Sequence, residues 1–572
     1  MHLVDQIIEC GPPKFYEEAF LLGAKKFAVD TLNKYGMTKR SQHHTDESFQ
    51  DSFLNEWAVG RWVVARKAVE SLDKLTHGKY PAPYLALESA VHSLGVDIQA
   101  ALDYEANLFG QLAVSPESKS LIAVYYLMES AKKIPKSLKP KAQLPKITKI
   151  GIIGAGVMGA QIAAIAISKG YSVFVRDISE DAIQAGIKHV RAIFDESIAK
   201  KRLSPQLCES RLKALSFSTG LDGFKDCSIV IEAAMENLQL KQKILQEVEK
   251  VLPASAIFAT NTSSLSITVL SKSSSRPGQI CGMHFFNPVQ KMPLVEVISS
   301  EATEDWCLSV IYRLALSLGK TPCICRDGPG FIVNRILGIY MNEAGLLAIE
   351  GNSIPSIDQA LVDFGMPMGP FRLIDEVGMD VAAHVGSILE NGLGTRFKQN
   401  PNFTKVLVSN PKRLGKKTGA GFFLYDKNGK TDPRHLNPEI YSEIASLRSG
   451  SQTKSSSPKN IVDRCILVSL QEACYILSEQ ICESPEVLDL AMIFGTGFAP
   501  FRGGLLNYAD QYGIAAIVSR LKQLAGEYGE RFDPHPLLLK MAHDSSLFFP
   551  KRPHGMTPIT RLPRSSLKRS KM

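Results

Sequence analysis

The chain holds 572 residues, 45% apolar and 22% charged, a balance ordinary for globular protein and long enough for three or four domains with separate cores. Its formal net charge of +9 is concentrated at the end: residues 551–572 carry Lys551, Arg552, Arg561, Arg564, Lys568, Arg569 and Lys571 without an acid, leaving +2 for the rest. This argues against a nucleic-acid-binding face on a folded domain, and ten cysteines without a CxxC or a His/Cys cluster argue against a zinc site or a disulfide framework and for a reducing compartment.

At the start, Asp5, Glu9 and the Gly11-Pro12-Pro13 break interrupt any secretory apolar region, and the stretch is not Arg-rich like a transit peptide. Apolar spacing predicts helices over Phe15–Tyr35, Leu54–Leu75 and Leu85–Leu112, with Gly78-Lys-Tyr-Pro81-Ala-Pro83 separating the last two. His43-His44 lies among Gln42, Thr45 and Asp46 and reads as solvated loop, not as a metal site. Lys132–Lys146, with three prolines and six lysines, reads as a linker.

A buried parallel strand follows, with isoleucine at 147, 150, 152 and 153, and runs into Gly154-x-Gly156-x-x-Gly159 and a helix over Gln161–Lys169. That order suits a dinucleotide. Gly154 permits the turn, Gly156 admits a pyrophosphate close to the backbone, and Gly159 lets helix and strand touch. The phosphate then rests on free N–H groups at the helix start, around Val157 and Met158. A second strand, Tyr171–Val175, leads to Asp177, 23 positions after Gly154, where an acid accepts from a ribose 2′-OH and repels a 2′-phosphate. NAD is therefore expected over NADP, with Arg176 as the contrary signal. The uncharged run Ile150–Ser168 approaches the length of a membrane span, but four glycines and Gln161 make a βα turn the better reading.

Strand and helix then alternate. Cys227–Ala233 carries Glu232 near its end, and Ala256–Asn261 is followed by Thr262-Ser263-Ser264, with helices over Leu238–Val251 and Trp306–Leu318. Polar residues at the carboxyl ends of parallel strands lie where ligands bind. Gln279–Phe286 and Leu294–Ile298 are strand-like runs whose connection centres on position 290, with His284 and Glu296 each six residues away. If the chain reverses there, imidazole and carboxylate face each other, a base held by its orienter. The bland alternative is a histidine satisfied by a carbonyl beside an unrelated glutamate; next to a nicotinamide site the first reading prevails.

After Arg326 the pattern turns helical, over Phe331–Glu350 and Ile357–Phe364, then Gly365-Met-Pro-Met-Gly-Pro370. Ile332-Val-Asn-Arg335 returns as Ile461-Val-Asp-Arg464, Asn342-Glu-Ala as Gln471-Glu-Ala, Phe364-Gly365 as Phe494-Gly495 and Pro370-Phe371 as Pro500-Phe501, an offset of 129 to 130. A helical domain has been duplicated, with Ser- and Lys-rich 448–459 as connector. Asp463 stands where the first copy has Asn334, so a functional Asn334 makes the second copy structural. Ser570-Lys571-Met572 resembles the peroxisomal Ser-Lys-Leu address. For the basic tail two readings stand: contact with an anionic membrane surface, or a chain without fixed structure.

Together, Gly154-x-Gly156-x-x-Gly159, Val230-Ile-Glu232-Ala, Asn261-Thr-Ser263-Ser-Leu, Gly282-Met-His284-Phe-Phe-Asn-Pro288, Leu294-Val-Glu296-Val-Ile, Gly330-Phe-Ile-Val-Asn334-Arg and Gly365-Met-Pro-Met-Gly-Pro370 resemble the L-3-hydroxyacyl-CoA dehydrogenases. The duplication and the N-terminal helices look like the multifunctional fatty-acid oxidation proteins, from about residue 2 to 549. The resemblance implies an α/β Rossmann-type domain followed by two all-α domains, NAD as cofactor and a 3-hydroxyacyl-CoA thioester as substrate. It implies His284 as base, Glu296 as its orienter, Ser263 and Asn334 holding the substrate oxygen, and Glu232 near the nicotinamide ribose. Lys200, Lys201 and Arg202 read as a solvated helix end or as a contact for coenzyme A phosphates. Expected divisions are a helical segment and linker at 1–145, the NAD domain at 147–326, helical copies at 327–426 and 460–550, a linker at 427–459 and the tail at 551–572.

One departure stands out. The family's full-length members begin with an enoyl-CoA hydratase half, and this chain starts at what resembles its last part, so dehydrogenase activity without hydratase activity is expected, as are exposed apolar faces within 1–145. A thiolase subunit is the implied protein partner, and mitochondrial matrix, peroxisome or, for a bacterial protein, cytoplasm the implied compartment. Two other readings compete: a non-catalytic scaffold of an oxidation complex, and a sugar or short hydroxy-acid dehydrogenase, which leaves the duplication unexplained.

Overall fold

The structure is a computed structural model and describes residues 58–94, 96–135, 138, 145–426, 429–431, 435–447 and 456–550. The helix expected over Phe15–Tyr35, the histidine pair at 43–44, parts of the two linkers and the tail with its terminal tripeptide lie outside them. The linker expected over 427–459 instead holds a helix, Pro438–Ser446, that packs because Ile440 and Ile444 are buried in the core. Two compact units divide the chain, 1–78 with 82–106, and 79–81 with 107–572.

The first unit contains α1 (Ala58–Thr76), most of α2 (Pro81–Ser93) and the first turns of α3 (Ile98–Val114). The expected single helix over Leu85–Leu112 is two, because Asp97 accepts the N–H groups of Gln99 and Ala100 and caps a new start. Tyr84 donates to Asp73 at 2.8 Å, and the His92 ring stacks on Tyr104. Trp62, Leu75, Leu94 and Ile98 remain exposed.

The second unit opens with the rest of α3 and with α4 (Pro116–Ala131), started by a Ser115 cap and Pro116. Strand and helix then alternate: β1 (Lys149–Ile153), α5 (Val157–Ser168), β2 (Ser172–Arg176), α6 (Glu180–Ala199), α7 (Pro205–Leu212), β3 (Leu215–Ser218), β4 (Ile229–Glu232), α8 (Leu238–Glu249), β5 (Ile257–Thr260), α9 (Ile267–Ser271), β6 (Ile280–Phe285), β7 (Leu294–Ser299), α10 (Asp305–Ser317) and β8 (Thr321–Arg326). Among the described residues no helix is long and apolar enough to cross a membrane, and the uncharged run Ile150–Ser168 resolves into strand, turn and helix.

The strands form one sheet in the order β3-β2-β1-β4-β5-β6-β7-β8, parallel throughout except where β6 meets β7. Chain order reverses between β1 and β4, the place where such sheets open a crevice for ligands beyond their carboxyl ends. Central strands such as β1 and β4 are buried on both faces, which accounts for their unbroken apolar runs. Pro322 sits in β8 because β8 is the edge strand, where a missing N–H costs no ladder bond.

The helical remainder comprises α11 (Val333–Ile349), α12 (Ile354–Phe364), α13 (Pro370–Val377), α14 (Met379–Leu393), α15 (Pro401–Val408) and α16 (Pro438–Ser446), then α17 (Pro458–Ser478), α18 (Pro485–Thr496), α19 (Leu505–Tyr512), α20 (Ile514–Tyr528) and α21 (Pro536–His543). The duplicated helices α11 and α17 pack on each other. Their apolar stripes join the sheet face under β7 and β8 in one core that includes Leu294, Ile298, Val333, Ile336, Ile466 and Leu470.

Candidate active site

The site grows from the turn after β1. Gly154 adopts φ 100°, and a Cβ there would lie 2.7 Å from the carbonyl oxygen of Ala233 beyond β4. At Gly159 a Cβ would fall 1.8 Å from the oxygen of Gly154, so only glycine lets α5 start against the turn. Gly156 is different: a Cβ on it would meet nothing within 4 Å. As the N-cap of α5 it offers no side-chain acceptor, so the N–H groups of Val157, Met158 and Gly159 start the helix without a side-chain cap. An anion fits this cradle.

Asp177, past the end of β2, accepts the N–H of Ala155 at 2.6 Å and that of Ile178 at 2.7 Å, which fixes the carboxylate against the glycine turn. Arg176, the contrary signal for cofactor choice, donates through Nε to the carbonyl of Thr219 just after β3.

Glu232 sits elsewhere than its implied role suggests. It is 0% exposed, its oxygens accept Lys241 Nζ at 2.8 and 2.9 Å, the Thr260 hydroxyl at 2.6 Å and the N–H of Ala234 at 2.7 Å, and no lone pair faces the crevice. The acid at the open side is Glu236, four residues on and 25% exposed. Its Oε1 accepts from the Thr262 hydroxyl at 2.6 Å, from the N–H and hydroxyl of Ser263 at 2.9 and 3.1 Å, and from the N–H of Ser264. Burial acts to raise its pKa, but Lys241, the Thr262 hydroxyl and Ser263 outweigh burial and hold the carboxyl below its usual value. Sequence reasoning passed over Glu236; its one signal was an acid between the end of β4 and the Asn237 cap of α8, at the carboxyl edge of the sheet.

On β6 and β7 the chain reverses as expected, and the antiparallel register sets His284 directly opposite Glu296. His284 Nδ1 lies 2.8 Å from Glu296 Oε2, with the carboxylate fully buried. The other oxygen of Glu296 accepts the N–H groups of Ile332 and Val333, at 3.2 and 3.1 Å, at the start of α11. The preceding residues are bent to aim them: Gly330 and Phe331 have φ of 69° and 52°, a conformation unfavourable for a bulky residue and typical of functional sites. The Phe331 and Phe286 rings flank the imidazole. With Nδ1–H donated to the carboxylate, Nε2 carries the lone pair and has no protein partner among the described residues.

The next residue on α11 is Asn334, whose Nδ2 donates to the carbonyl of Ser263 at 3.0 Å. A continuous set of contacts therefore joins His284, Glu296, the first turn of α11, Asn334, Ser263 and Glu236, bringing together the four expected catalytic residues.

Comparison with known proteins agrees with this geometry. The model of the 3-hydroxyacyl-CoA dehydrogenase NAD binding domain matches residues 149–328, and that of the C-terminal domain matches twice, at 330–425 and 461–548. The fatty acid oxidation complex subunit alpha of Idiomarina loihiensis is 39% identical over 499 residues, which is 87% of this chain and 69% of that one. The chain belongs to the 3-hydroxyacyl-CoA dehydrogenases of the fatty-acid oxidation protein family. The corresponding subunit of Shewanella halifaxensis is 36% identical and 71% covered. A crystal structure of 3-hydroxybutyryl-CoA dehydrogenase from Escherichia coli K12 superposes with a TM-score of 0.61 at 28% identity, over 70% of this chain and 99% of that one. The dehydrogenase part of multifunctional enzyme 1 from C. elegans, at 22% identity and a TM-score of 0.53, shares the fold. This member of the family is thus an NAD-dependent 3-hydroxyacyl-CoA dehydrogenase of fatty-acid β-oxidation, and the open cradle at Gly156 with uncapped N–H groups beside Asp177 fits the cofactor.

Proposed function

We propose that His284 is the base that takes the C3 hydroxyl proton of an L-3-hydroxyacyl-CoA thioester, and that Glu296 orients its ring and stabilises the imidazolium. The observation that carries this reading is the 2.8 Å contact between His284 Nδ1 and a fully buried Glu296, with Nε2 left over. Two N–H groups at the start of α11 donate to the other Glu296 oxygen, which holds the carboxylate in place beside the ring. Asn334 uses one Nδ2 proton on Ser263, so a second remains to donate to the substrate oxygen as negative charge gathers there. Ser263, whose hydroxyl donates to Glu236 at 3.1 Å, would turn that proton to the substrate oxygen beside the Asn334 donor. Bound NAD supplies the hydride acceptor; Gly154, Gly156, Val157, Met158 and Gly159 would cradle its pyrophosphate and Asp177 its ribose. At the nicotinamide end Glu236 replaces Glu232 in our reading, because only Glu236 has a surface to offer.

The finer organisation belongs to the same proposal. The NAD domain spans 147–326, the working helical copy 327–426 and the supporting copy 460–550, with 1–145 and 551–572 as N-terminal segment and tail, and 427–459 joins the copies while carrying the packed helix α16. The 572 residues oxidise without hydrating. A thiolase is the partner subunit, a reading supported by relatives named as the alpha subunit of an oxidation complex. Those relatives are bacterial, which favours the cytoplasm over a compartment addressed by Ser570-Lys571-Met572.

The test is NADH oxidation by the purified chain with acetoacetyl-CoA, beside His284→Gln. The variant is expected to lose about 1,000-fold in kcat/KM, within the ~100- to 10,000-fold range of a positioned acid–base group. Equal rates would remove His284 from the chemistry, and turnover of crotonyl-CoA would end the claim about hydration.

A further inference from the structure

Gln161 lies on α5, within two turns of the glycine loop, and its side-chain orientation follows from a donor with no alternative. The backbone N–H of Val289 donates to it at 2.6 Å. An N–H needs an acceptor, so Oε1 faces Val289 and Nε2 faces the other way. Nε2 then donates to the side chain of Asn287 at 3.2 Å. The atom receiving it is Oδ1, which turns Nδ2 of exposed Asn287 away from the Gln161 amide. Asn287 follows the carboxyl end of β6, two residues after the strand that carries His284, at the same sheet edge as the glycine loop.

The backbone of this connection is held without Gln161. Lys320, buried at the start of β8, donates to the carbonyls of Val289 and Met292. The N–H groups of Lys291 and Met292 both donate to Pro288, and Thr321 donates to Pro293 at 2.7 Å. Gln161 adds one bond to this set, to the Val289 N–H, and spends its other end on Asn287.

We propose that Gln161 is a positioning residue of the cofactor site, setting the Asn287 amide so that its donor end, not its carbonyl end, faces the cleft between α5 and the exit of β6. The proposal rests on the cleft at the glycine loop being the NAD site, which a wild-type titration checks by itself.

Gln161→Glu is the informative change, because the carboxylate keeps the Val289 bond but has no proton for Asn287. The Asn287 amide must then turn over, presenting Nδ2 to the carboxylate and Oδ1 to the cleft. NADH affinity is read by fluorescence titration of the purified full chain at pH 8, for wild type, Q161E, N287A and the double variant, with melting temperatures alongside. Q161E is expected to raise the Kd about tenfold, the cost of trading a donor for an acceptor at a polar contact. In the N287A background the same change is expected to stay within about 2-fold of no effect. The uncharged Q161M, which frees the amide without inverting it, should raise the Kd about 3-fold, a smaller loss than Q161E, again only when Asn287 is present. An equal loss with and without Asn287 would reduce the effect to a charge near the phosphates and overturn the proposal. So would a wild-type Kd in Q161E and Q161M.

Discussion

The two helical copies are built alike and part company at one point. In both, a buried arginine on the long helix reaches into the other copy: Arg335 pairs with Glu472 and Glu479, and Arg464 with Glu343 and Glu350, the same positions displaced by 129. A second arginine joins each cluster, Arg396 on Glu479 and Arg531 on Glu343, both at 2.9 Å. Inner carboxylates repeat as well. Asp358 accepts two N–H groups at the start of α13, Asp489 two at the start of α19, and Asp375 and Asp510 each take the N–H groups of a phenylalanine pair. Burial of this kind is tolerated because every charge has a partner.

The first turn of the long helix is where they differ. α17 begins at Pro458 and is capped by its own Ser457. The matching Pro329 is followed by Gly330 and Phe331 in the left-handed region, so α11 begins only at Val333 and has no cap of its own. Glu296 caps it instead. The unwound turn sets a helix start against Glu296 of the proposed catalytic pair, while the intact copy uses Asp463, in the position of Asn334, for ion pairs with Lys459 and Arg520. The same scaffold is thus kept twice and specialised once.

The largest effect should come from what the copies share. Arg335→Met and Arg464→Met are each expected to cost about 3–5 kcal/mol, since removing one member of a buried pair strands the others. Urea unfolding of both variants measures it, and a cost below about 1 kcal/mol for one of them would break the symmetry claimed here. Next comes the point of divergence. Asn334→Asp makes the first copy resemble the second, replaces a donor with an acceptor against the Ser263 carbonyl, and is expected to lower kcat/KM about 100-fold; Asp463→Asn should leave it within about 2-fold. Comparable losses in both would mean that the second copy takes part in catalysis.

The smallest effect is a pH dependence confined to the second copy. Burial first, and Arg396 second, lower the pKa of His535, whose Nδ1 must stay unprotonated to cap α21 through the N–H of Leu537. Below the ordinary histidine value of about 6.5 the unfolded chain binds a proton that the folded one resists, so stability falls as pH drops and is unaffected above that range. His535→Asn keeps the cap and should reduce the loss of urea resistance between pH 7.5 and 5.5; an unchanged loss would assign it to other groups.

Much of the site was legible because it is written locally. Glycines at fixed spacing meet a turn, an open approach at Gly156 and a helix, and His284 and Glu296 face each other because a reversing connection centred between them leaves little choice of register. Glu236 was not legible, since an acid in a short loop has no period and its partners Thr262 and Ser263 are more than 20 residues away. Nor were β3 and β8 anticipated; both lie at a sheet edge and neither has a continuous apolar run, β3 alternating serine with apolar residues and β8 holding Pro322 and ending on Arg326.

The sequence by itself determined the nucleotide fold, the duplication and the acid–base pair, because each depends on spacing along the chain and on the chemistry of single side chains. Tertiary structure alone decided which glutamate after β4 meets the cleft, how the arginines of one copy find the glutamates of the other, and that Glu296 serves as the missing cap of α11. Those outcomes depend on which buried charges and free N–H groups end up near one another, and only packing sets that distance.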